Sequence, residues 1–572
     1  MDKTKGASNM TKLTGSHLMV RALKLEGISK VFTIVGDTIL PLVDAVEDEG
    51  LQFIDTRHEA AAMHMADAWA RVTGEPAVVM VTGGPGFSNA ISALPNIYTS
   101  ESPVILISGS SELSEKGMYA FQEIDQVGMA APVTKGAWLV HDRRRIPEYV
   151  ATAFRTALTG RPGPVHLTIP VDIQEQDVSE DELPQYQPGE YRNAGRSHGD
   201  PKLIQEAVAL LRRAERPVVI AANSARYSLS PGALQELVET TGVPVFTVEQ
   251  ARGMVSDDHP LCFGYADGSL NSTARRFREA DVVLLLGKRF DHRYRYGQPP
   301  FFGANARLIQ VDPSPADIGR NRGVSVGILG DIGAVVEQLT HEAKGQSWPS
   351  GRLDPWLGRL REDRESWLGH LESLASDDLP MHPMRVFKEI ERFTDDDTIL
   401  IFDGGDYAQW GRSYLKARGT GQWMRLGPLS QLGCGLPYAL GAKLARPDAR
   451  VLLFIGDGSF GFYTMEYDTA IRHNLPFTAV MGNDSVWGID RNFQLAYYGR
   501  AVGTDLRFVR YDQVVEALGG YGEYIERSEE VAPAVERAIS SNRPSLVNIG
   551  IKSVRSPLAD AMVARKTESR QG

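Results

Sequence analysis

Short apolar runs rich in β-branched residues alternate with amphipathic stretches along almost the whole 572-residue chain. In the first third, apolar runs at 31–35, 77–81, 104–108 and 165–169 are separated by stretches such as 59–72, whose apolar residues recur with helical spacing. Strands that alternate with helices form parallel sheets with helices on their faces. The pattern therefore predicts an α/β chain of doubly wound parallel sheets.

The same alternation recurs twice more, with apolar runs at 217–222, 243–248, 282–287 and 308–311, and then at 398–402, 451–455, 477–481 and 546–549. It therefore predicts three consecutive α/β domains. A length of 572 residues fits three or four domains of the usual size. Two polar stretches, 174–200 and 341–382, interrupt the alternation, and the second contains one tryptophan-bearing helix. The first dozen residues are polar and predict no fold. We expect domains over 12–185, 200–340 and 380–552, followed by a tail over 553–572.

The charge and composition exclude several classes of protein. The formal net charge is −11, whereas proteins that bind nucleic acids or anionic membranes usually carry a basic excess. The two cysteines, Cys262 and Cys434, cannot form a disulfide framework or a cysteine zinc site. No run of about 18 apolar residues is present, and the N-terminus lacks the apolar centre of a signal peptide. These features predict a cytoplasmic protein with no nucleic-acid or membrane partner.

A glycine-rich turn follows the apolar run in VLLFIGDGSFGF, residues 451–462. Its three glycines have the spacing of a dinucleotide-binding turn, whose backbone N–H groups cradle a diphosphate. Asp457, however, lies between the first two glycines, and a carboxylate repels a diphosphate unless a cation lies between them. Asp484 follows the next apolar run, at the sheet edge where ligands of α/β sheets bind. The two carboxylates favour a Mg²⁺–diphosphate site, and the alternatives are a nicotinamide dinucleotide site or a plain loop.

GDGSF followed, after the next strand, by an acid or amide resembles the diphosphate-binding motif of thiamine diphosphate enzymes. These enzymes have a pyrimidine-binding, a central and a diphosphate-binding domain, so the resemblance covers nearly the whole chain. It implies that the side chains of Asp457 and Asp484 and the backbone carbonyl of Val486 bind Mg²⁺. Most relatives have asparagine in place of Asp484, and the added charge either tightens the metal or weakens the diphosphate. The residues that the resemblance implies for cofactor binding here are Gly405, Gly456, Gly458, Ser459 and Phe460.

The first unit carries a motif that resembles the strand-to-helix junction of the same enzymes. In IDTRHEAAAMHMADAWARVTG, residues 54–74, Glu59 matches their catalytic glutamate. That carboxylate hydrogen-bonds the pyrimidine ring and stabilises its imino tautomer, whose nitrogen removes the thiazolium proton. Taken alone, a glutamate at a helix N-terminus is explained by the helix dipole. The accumulated motifs favour the catalytic role.

Two further segments are similar to parts of the cofactor site. TGGPGFSNA, residues 82–90, resembles the loop over the pyrimidine ring. The implied contacts come from Thr82, Gly83 and Asn89. Residues 427–442, GPLSQLGCGLPYALGA, resemble the segment that lies beside the aminopyrimidine ring. The resemblance implies that the Ser430 carbonyl accepts a hydrogen bond from the amino group of that ring. It also implies that Leu432 is the apolar side chain that bends the cofactor. In this family Glu59 and the diphosphate site of one active centre come from different chains, which implies a homodimer or homotetramer with active sites at the subunit interface.

One segment faces the substrate in several branches of the family. Residues 108–135 resemble the corresponding segment of acetolactate synthases, benzaldehyde lyases, oxalyl-CoA decarboxylases and 2-hydroxyacyl-CoA lyases. Their sequence is SGSSELSEKGMYAFQEIDQVGMAAPVTK. Phe121 and Gln122 match the substrate-facing positions, and Gln122 can hydrogen-bond a reacting oxygen while staying uncharged. Asp37 lies where benzaldehyde lyases carry a histidine, and the paired histidines of pyruvate decarboxylases are absent around Gln122. Simple 2-keto acid decarboxylation is therefore disfavoured.

The central unit and the tail resemble the acyl-CoA branch. The run YGQPP within 287–302 is similar to acyl-CoA relatives, which bind ADP in the central domain. The matching positions are Asp312, Asp331 and Ile332. The same region binds flavin in acetolactate synthases, so it does not decide between the branches. Arg555 and the other basic tail residues would contact CoA if the tail is a lid over the active site, and the alternative is a solvated tail.

We therefore predict a thiamine diphosphate-dependent lyase that cleaves a 2-hydroxyacyl-CoA to an aldehyde or ketone plus formyl-CoA, or runs the reverse acyloin condensation. The expected partners are acyl-CoA and small carbonyl substrates, and the expected cofactors are thiamine diphosphate, Mg²⁺ and ADP. The alternatives are a free-acid carboligase or lyase of the acetolactate synthase or benzaldehyde lyase type, an oxalyl-CoA decarboxylase, or a non-catalytic nucleotide-binding homologue. The residues expected to shape the substrate pocket after the metal loop are Trp487, Phe493 and Gln494.

Overall fold

A computed structural model describes residues 13–179, 187–192 and 195–571 of the chain. These residues form three six-stranded sheets, and every strand pairing within the sheets is parallel. The prediction of three doubly wound α/β domains is thus confirmed. The predicted first dozen unfolded residues and the predicted domain limits at 12 and 185 lie outside the described residues. Within those ranges, no helix is long and apolar enough to cross a membrane.

The first unit is built on a sheet with helices on both faces. Its strands are β1 (Lys30–Ile34), β2 (Gln52–Asp55), β3 (Ala77–Val81), β4 (Val104–Ser110), β5 (Ala137–Leu139) and β6 (Val165–Pro170). Its helices are α1 (Gly15–Leu25), α2 (Leu40–Asp48), α3 (Glu59–Thr73), α4 (Pro85–Ile91), α5 (Leu94–Ser100), α6 (Gln126–Ala130), α7 (Ile146–Leu158) and α8 (Val171–Glu175). A short helix, α9 (Pro188–Tyr191), lies in the connection to the second unit.

The central unit has the same construction with fewer helices. Its strands are β7 (Pro217–Ala221), β8 (Val245–Thr247), β9 (Cys262–Tyr265), β10 (Val282–Leu286), β11 (Arg307–Asp312) and β12 (Val326–Leu329). Its helices are α10 (Pro201–Arg213), α11 (Asn223–Arg226), α12 (Ala233–Thr241) and α13 (Ile332–Lys344). The predicted tryptophan-bearing helix of the connection is α14 (Asp354–Ser373), which contains Trp356 and Trp367.

The third unit completes the chain. Its strands are β13 (Thr398–Asp403), β14 (Trp423–Arg425), β15 (Arg450–Gly456), β16 (Thr478–Asn483), β17 (Tyr521–Ile525) and β18 (Ser545–Gly550). Its helices are α15 (Pro383–Ile390), α16 (Asp406–Tyr414), α17 (Gly435–Ala445), α18 (Asp457–Phe460), α19 (Glu466–Arg472), α20 (Gly488–Tyr498), α21 (Tyr511–Ala517) and α22 (Ser528–Ser540). The tail forms one more helix, α23 (Pro557–Gln571).

The strand order places one switch point in each sheet. The first sheet runs β2-β1-β3-β4-β6-β5, and the third repeats that order as β14-β13-β15-β16-β18-β17. The order therefore reverses between β1 and β3 in the first unit and between β13 and β15 in the third. The central sheet, β12-β11-β10-β7-β8-β9, reverses between β10 and β7. Ligands of open α/β sheets bind beyond the carboxyl ends of the strands at such points.

The first and third units share a core because α3 packs directly on α17. Gly441 permits the close approach, since a β-carbon at that position would lie 2.3 Å from the Met65 carbonyl oxygen. At the same contact, Arg71 donates to Asp67 (Nε to Oδ1, 2.8 Å) and to the hydroxyl of Tyr438 (2.9 Å). All three polar side chains are buried, so each needs the others as hydrogen-bond partners.

Candidate active site

Glu59 lies at the N-terminus of α3, where the predicted pyrimidine-binding residues meet. The helix begins there because His58 has an extended backbone (φ −149°) and its ring accepts the N–H of Ala60 (3.1 Å). The half-buried Glu59 carboxylate accepts a hydrogen bond from Asn89 Nδ2 (2.9 Å). A β-carbon at Gly86 would lie 3.3 Å from Glu59 Oε1, so the first turn of α4 runs beside the carboxylate. Two predicted site residues, Glu59 and Asn89, are thus brought into contact.

A second set of predicted residues lies at the switch point between β1 and β3. The hydroxyl of Thr82 is 2.9 Å from that of Thr38, which also accepts the N–H of Gly83 (2.7 Å). Thr82 donates to Gln122 Oε1 (3.3 Å), and Gln122 has a positive φ of 61°. Gly84 contacts the same residue closely, because a β-carbon there would lie 2.6 Å from the Gln122 carbonyl oxygen. The loop of Thr82 and Gly83 therefore holds Gln122 beside it.

The surroundings of Gln122 form a cavity of about 420 Å³. Phe121 is 68% exposed next to it, and Asp37 is exposed beside Thr38 at the end of β1. Sequence reasoning missed Gln126, whose buried amide accepts the N–H of Gly84 (3.0 Å) and donates to the Gly109 carbonyl (3.0 Å). Its position in the run FQEIDQ was visible, but its partners come from two other loops.

The glycine-rich turn of the third unit brings two predicted carboxylates to neighbouring strand ends. Asp457 follows β15 and Asp484 follows β16, and the strands are paired so that Gly456 lies opposite Gly482. Burial, together with the charge of Asp484, raises the pKa of Asp457 to about 7. Burial also raises the pKa of Asp484 to about 6, and the neighbouring Asp406 acts in the same direction. Asp457 is buried and Asp484 is half-buried, and a cation between two such carboxylates would favour the ionisation of both.

The donor set at this turn fits the divalent cation that the sequence predicts. Asp457, Asp484 and Val486 line one cavity of about 50 Å³ together with residues of the glycine-rich turn. Among the described residues, no three His, Cys, Asp or Glu side chains are grouped to hold a metal. A metal here would therefore use the two carboxylates, the Val486 carbonyl and oxygens of a diphosphate, which are hard ligands of the kind Mg²⁺ prefers. The other predicted residues that line this cavity are Gly405, Leu432, Gly456, Gly458, Ser459 and Trp487.

Trp487 covers the diphosphate turn. A β-carbon at Gly458 would lie 2.7 Å from the Trp487 ring, so glycine is required for the indole to approach the backbone. The same ring meets Phe462 edge-on, with centroids 6.3 Å apart. The prediction that Trp487 shapes the site agrees with this position, although the residue faces the diphosphate turn more than a substrate pocket.

Two predicted residues have other roles in the structure. The Phe460 side chain is fully buried and packs on Tyr467 and Tyr511, so only its backbone can contact a cofactor. The Gln494 amide is bonded at both ends to Val502 (2.6 and 3.1 Å), which closes a turn after α20. Core packing and hydrogen bonding thus engage both side chains, and the cofactor contact of Phe460 and the pocket role of Gln494 stay predictions.

A larger cavity of about 380 Å³ joins the central unit, the third unit and the tail. Four predicted residues line it: Gly405, Ser430, Leu432 and Phe493. Ser430 has a positive φ of 63°, and its hydroxyl accepts from Arg293 Nη2 (3.3 Å). Arg293 was missed as a site residue, because the run GKRFDHRYRYG shows several arginines and no pattern that selects one. The wedge position Leu432 therefore lies between the diphosphate turn and this cavity, since it lines both.

The tail forms one wall of the larger cavity. The sequence shows no periodicity there, yet α23 packs against α16 and α20 and contributes Leu558, Met562 and Arg565 to the lining. Arg565 donates to Ser269 of the central unit (2.8 Å). Arg555 lies before the helix and pairs with Asp560 (2.8 Å), outside the lining residues. The tail is thus an ordered helix beside the site, and its action as a lid stays a prediction.

The predicted nucleotide-binding residues of the central unit are occupied by protein contacts. The Asp312 carboxylate is fully buried and bonded to Arg161 of the first unit. Arg161 enters the switch point between β7 and β10, where it also donates to Glu101 (2.6 Å) and to Ser224 (2.8 Å). Asp331 caps α13 by accepting the N–H of Ala334, and Ile332 is buried. The structure therefore argues against the predicted ADP site, because these residues are engaged by protein contacts.

We expect the purified protein to release no adenine nucleotide. Arg161 already satisfies the polar groups at the switch point, and a ligand would have to break a buried ion pair to enter. Mass spectrometry of the small molecules released by acid denaturation checks this. ADP or FAD in amounts close to one per chain would contradict it.

Glu59 and Asp457 share none of the three cavities described above. Asp457 lines the cavity at the diphosphate turn, whereas Glu59 lines none of the three. Large apolar side chains are exposed beside two of these cavities, including Tyr119 (100%) at the Gln122 cavity and Phe462 (54%) next to the diphosphate turn.

Comparison with known proteins identifies the class. Three segments match the thiamine pyrophosphate (TPP) enzyme family: its N-terminal TPP binding domain over residues 13–129, its central domain over 204–339 and its C-terminal TPP binding domain over 403–549. The chain belongs to this family, as the sequence motifs predicted.

Individual relatives carry the names of two different enzymes, acetolactate synthase and 2-hydroxyacyl-CoA lyase. The acetolactate synthase large subunit IlvG of Mycobacterium tuberculosis is 35% identical over 538 residues, which cover 93% of this chain and 95% of the relative. A probable acetolactate synthase large subunit of Methanococcus aeolicus is 31% identical over 560 residues, covering 94% and 92%. Human 2-hydroxyacyl-CoA lyase 2 is 30% identical over 580 residues, covering 94% and 89%. The chain is therefore similar both to proteins named acetolactate synthase and to a protein named 2-hydroxyacyl-CoA lyase.

Proposed function

We propose that the protein is a Mg²⁺- and thiamine diphosphate-dependent lyase that cleaves a 2-hydroxyacyl-CoA to an aldehyde or ketone plus formyl-CoA. The observation that carries the choice of a thioester is the charge balance of the cavity at Ser430. A free 2-keto acid brings a carboxylate to the reacting carbon, whereas a thioester is neutral there.

Two of the arginines that line this cavity are paired with carboxylates, whereas Arg412 donates to neutral oxygens instead. Arg425 donates to both oxygens of Glu249 (2.6–2.8 Å). Burial raises the pKa of Glu249, but the charges of Arg425 and Arg293 outweigh it and lower this pKa to about 2. The Glu249 carboxylate is therefore ionised. Arg293 lies 3.8 Å from the Asp267 carboxylate. These pairs reduce the positive charge that a free carboxylate would need, and they suit an uncharged thioester carbonyl.

The protein's own residues have separate tasks in this proposal. Thiamine diphosphate, when bound, supplies the electron sink for cleavage of the carbon–carbon bond. Glu59 holds and polarises the pyrimidine ring, and the Ser430 carbonyl accepts from the ring's amino group. Gln122, held by Thr82, donates a hydrogen bond to the substrate oxygen without adding charge.

The CoA moiety would leave the site along the tail. Helix α23 presents Arg565 to the cavity, and its Lys566 lies over the Tyr497 ring (4.0 Å). Arginine suits phosphate groups because its planar donors match their oxygens. A cation on the outer wall, several bonds from the reacting carbon, is the arrangement that a CoA thioester requires.

A carboligase of the acetolactate synthase type is the second candidate. Arg293 favours it, because its guanidinium donates to Ser430 beside the cofactor-binding residues and could recognise the carboxylate of a 2-keto acid. The relatives named acetolactate synthase also support it. The two candidates differ in whether CoA is bound at all.

The proposed assembly is a homodimer or homotetramer with each active site between two chains. It is supported by the exposed apolar side chains of Tyr119 at the Gln122 cavity and of Phe462 beside the diphosphate turn. An isologous dimer forms two such sites from one interface.

Changing Arg565 to alanine is expected to raise the KM for a 2-hydroxyacyl-CoA about tenfold and to leave kcat nearly unchanged, since one charge-assisted phosphate contact contributes about 1.4 kcal/mol. Steady-state kinetics with a 2-hydroxyacyl-CoA measure both constants. Arg555→Ala removes the same charge from the same tail outside the cavity and serves as the control. If the KM of Arg565→Ala were as low as that of Arg555→Ala and of the unmodified protein, Arg565 would not contact the CoA moiety.

A further inference from the structure

Asp403 ends β13, at the switch point of the third sheet, opposite Ile455 of β15. Its carboxylate is completely buried. Oδ1 accepts the N–H of Gly433 (3.2 Å) and Oδ2 accepts that of Gly435 (2.7 Å). The hydroxyl of Ser459 also donates to it. Burial raises the pKa of Asp403 to about 6, and these hydrogen bonds oppose the shift.

The three donors belong to two loops that are far apart in sequence. Gly433 and Gly435 lie in the loop that begins at Ser430 and carries Leu432, while Ser459 lies in the diphosphate turn. Both loops line the 50 Å³ cavity, through Leu432 and Ser459. One carboxylate therefore connects the residue predicted to bend the cofactor with a residue predicted to hold its diphosphate.

The backbone around Asp403 is shaped for this connection. A β-carbon at Gly435 would lie 2.4 Å from the Asp403 β-carbon, so no side chain fits there. Gly404 has φ +89°, and a β-carbon on it would lie 2.6 Å from Ser459 Oγ. Gly433 has φ +88°, which side chains rarely adopt. Three glycines thus allow the two loops to close on one carboxylate.

A carboxylate is the side chain that these donors require. Its two oxygens offer about four acceptor sites and no donor. Asparagine of the same shape has one acceptor oxygen and an NH₂ group, which would face an N–H of Gly433 or Gly435 without bonding. A substitution by asparagine therefore removes one of the two hydrogen bonds that hold the Leu432 loop, while it preserves the volume of the side chain.

We propose that Asp403 is a positioning residue, which sets the Leu432 loop against the diphosphate turn and so controls both cofactor anchoring and cofactor activation. The inference rests on the proposed cofactor contacts of Leu432 and Ser459. It does not depend on the acyl substrate, so it can fail or hold separately from the proposed lyase activity.

The test compares three variants of the full-length protein. Asp403→Asn is expected to raise the dissociation constants of Mg²⁺–pyrophosphate and Mg²⁺–thiamine diphosphate about tenfold, by isothermal titration, because its neutral amide holds the Ser459 hydroxyl less strongly than the carboxylate does. At saturating cofactor it is expected to slow exchange of the thiazolium C2 proton, followed by NMR, by about tenfold or more, because it releases the Leu432 loop. Ser459→Ala is expected to weaken pyrophosphate binding alone. Asp397→Asn, which removes the same charge just before β13 at an exposed position, is expected to change neither.

The outcomes separate positioning from stability. If Asp403→Asn lowers only the melting temperature, with the pyrophosphate affinity and the exchange rate at saturating cofactor unchanged, the proposal is overturned. If that variant does not fold, Asp403→Glu is measured, since it keeps the charge and displaces the oxygens by one methylene group. An exchange rate equal to that of the unmodified protein in Asp403→Glu would also overturn it.

Discussion

Replacing Glu59 by glutamine is expected to lower kcat by about 10²–10⁴-fold, the usual contribution of a positioned acid–base group. Glutamine preserves the size of the side chain and an oxygen for the hydrogen bond from Asn89, which is 2.9 Å in the structure. It removes the charge that would polarise the pyrimidine ring. The expected defect is therefore in activation of the cofactor, and the rate of thiazolium C2 proton exchange should fall with kcat.

The control for this substitution is Glu75→Gln, which makes the same change at an exposed position beyond the other end of α3. We expect it to leave kcat, C2 exchange and the melting temperature unchanged. If Glu59→Gln retained both kcat and the exchange rate, the assignment of Glu59 to the cofactor would be wrong, whatever the substrate.

Replacing Asp457 by alanine is expected to abolish Mg²⁺-dependent cofactor binding, with a loss of affinity above about 100-fold, since it removes one of the two carboxylates available to the metal. Burial and the charge of Asp484 raise the pKa of Asp457 to about 7. Ionisation of both carboxylates is therefore unfavourable without a cation and becomes favourable when a cation lies between them. Titration calorimetry with thiamine diphosphate, with and without Mg²⁺, measures the loss. Asp448→Ala, at an exposed position before β15, is the matched control.

The same two variants test the shared active site. Glu59→Gln and Asp457→Ala each damage one half of the proposed centre, and these two residues share none of the three cavities described above. When the two variant chains are co-expressed, each mixed dimer has one site with both halves intact. About half of the randomly paired dimers are mixed, so about a quarter of all sites, and of the unmodified activity, should be restored. Activity that stays at the level of the separate variants would show that each chain builds its own centre.

The sequence analysis located the four inner strands of every sheet and missed both edge strands of every sheet. The missed strands are β2, β5, β9, β12, β14 and β17. Inner strands are buried on both faces and have continuous apolar runs, as in AVVMV of β3. Edge strands are short or partly exposed, as in QFID of β2, so their apolar pattern is weak. The fold class was predictable because the inner strands alone define three parallel sheets.

The candidate site was predictable where its residues are close in sequence. Asp457 and Ser459 share one turn, and Glu59 opens a recognisable helix. Asp403 and Arg161 were missed as connecting residues because their partners come from other loops or other units. Arg161 also changed the interpretation of Asp312, since an acid that suits a ribose hydroxyl in the sequence is buried in an ion pair in the fold. Long-range pairing of this kind leaves no local pattern.

The most direct test of the proposed function is product analysis with a defined substrate. The Mg²⁺- and thiamine diphosphate-loaded protein is incubated with 2-hydroxyacyl-CoA compounds of several chain lengths, and with pyruvate in parallel reactions. Formyl-CoA and the matching aldehyde or ketone are measured by liquid chromatography and mass spectrometry, with Glu59→Gln as the blank. We predict formyl-CoA and the carbonyl product in equal amounts, and little turnover of pyruvate. Acetolactate from pyruvate, with no formyl-CoA from any thioester, would contradict the lyase proposal and favour the carboligase.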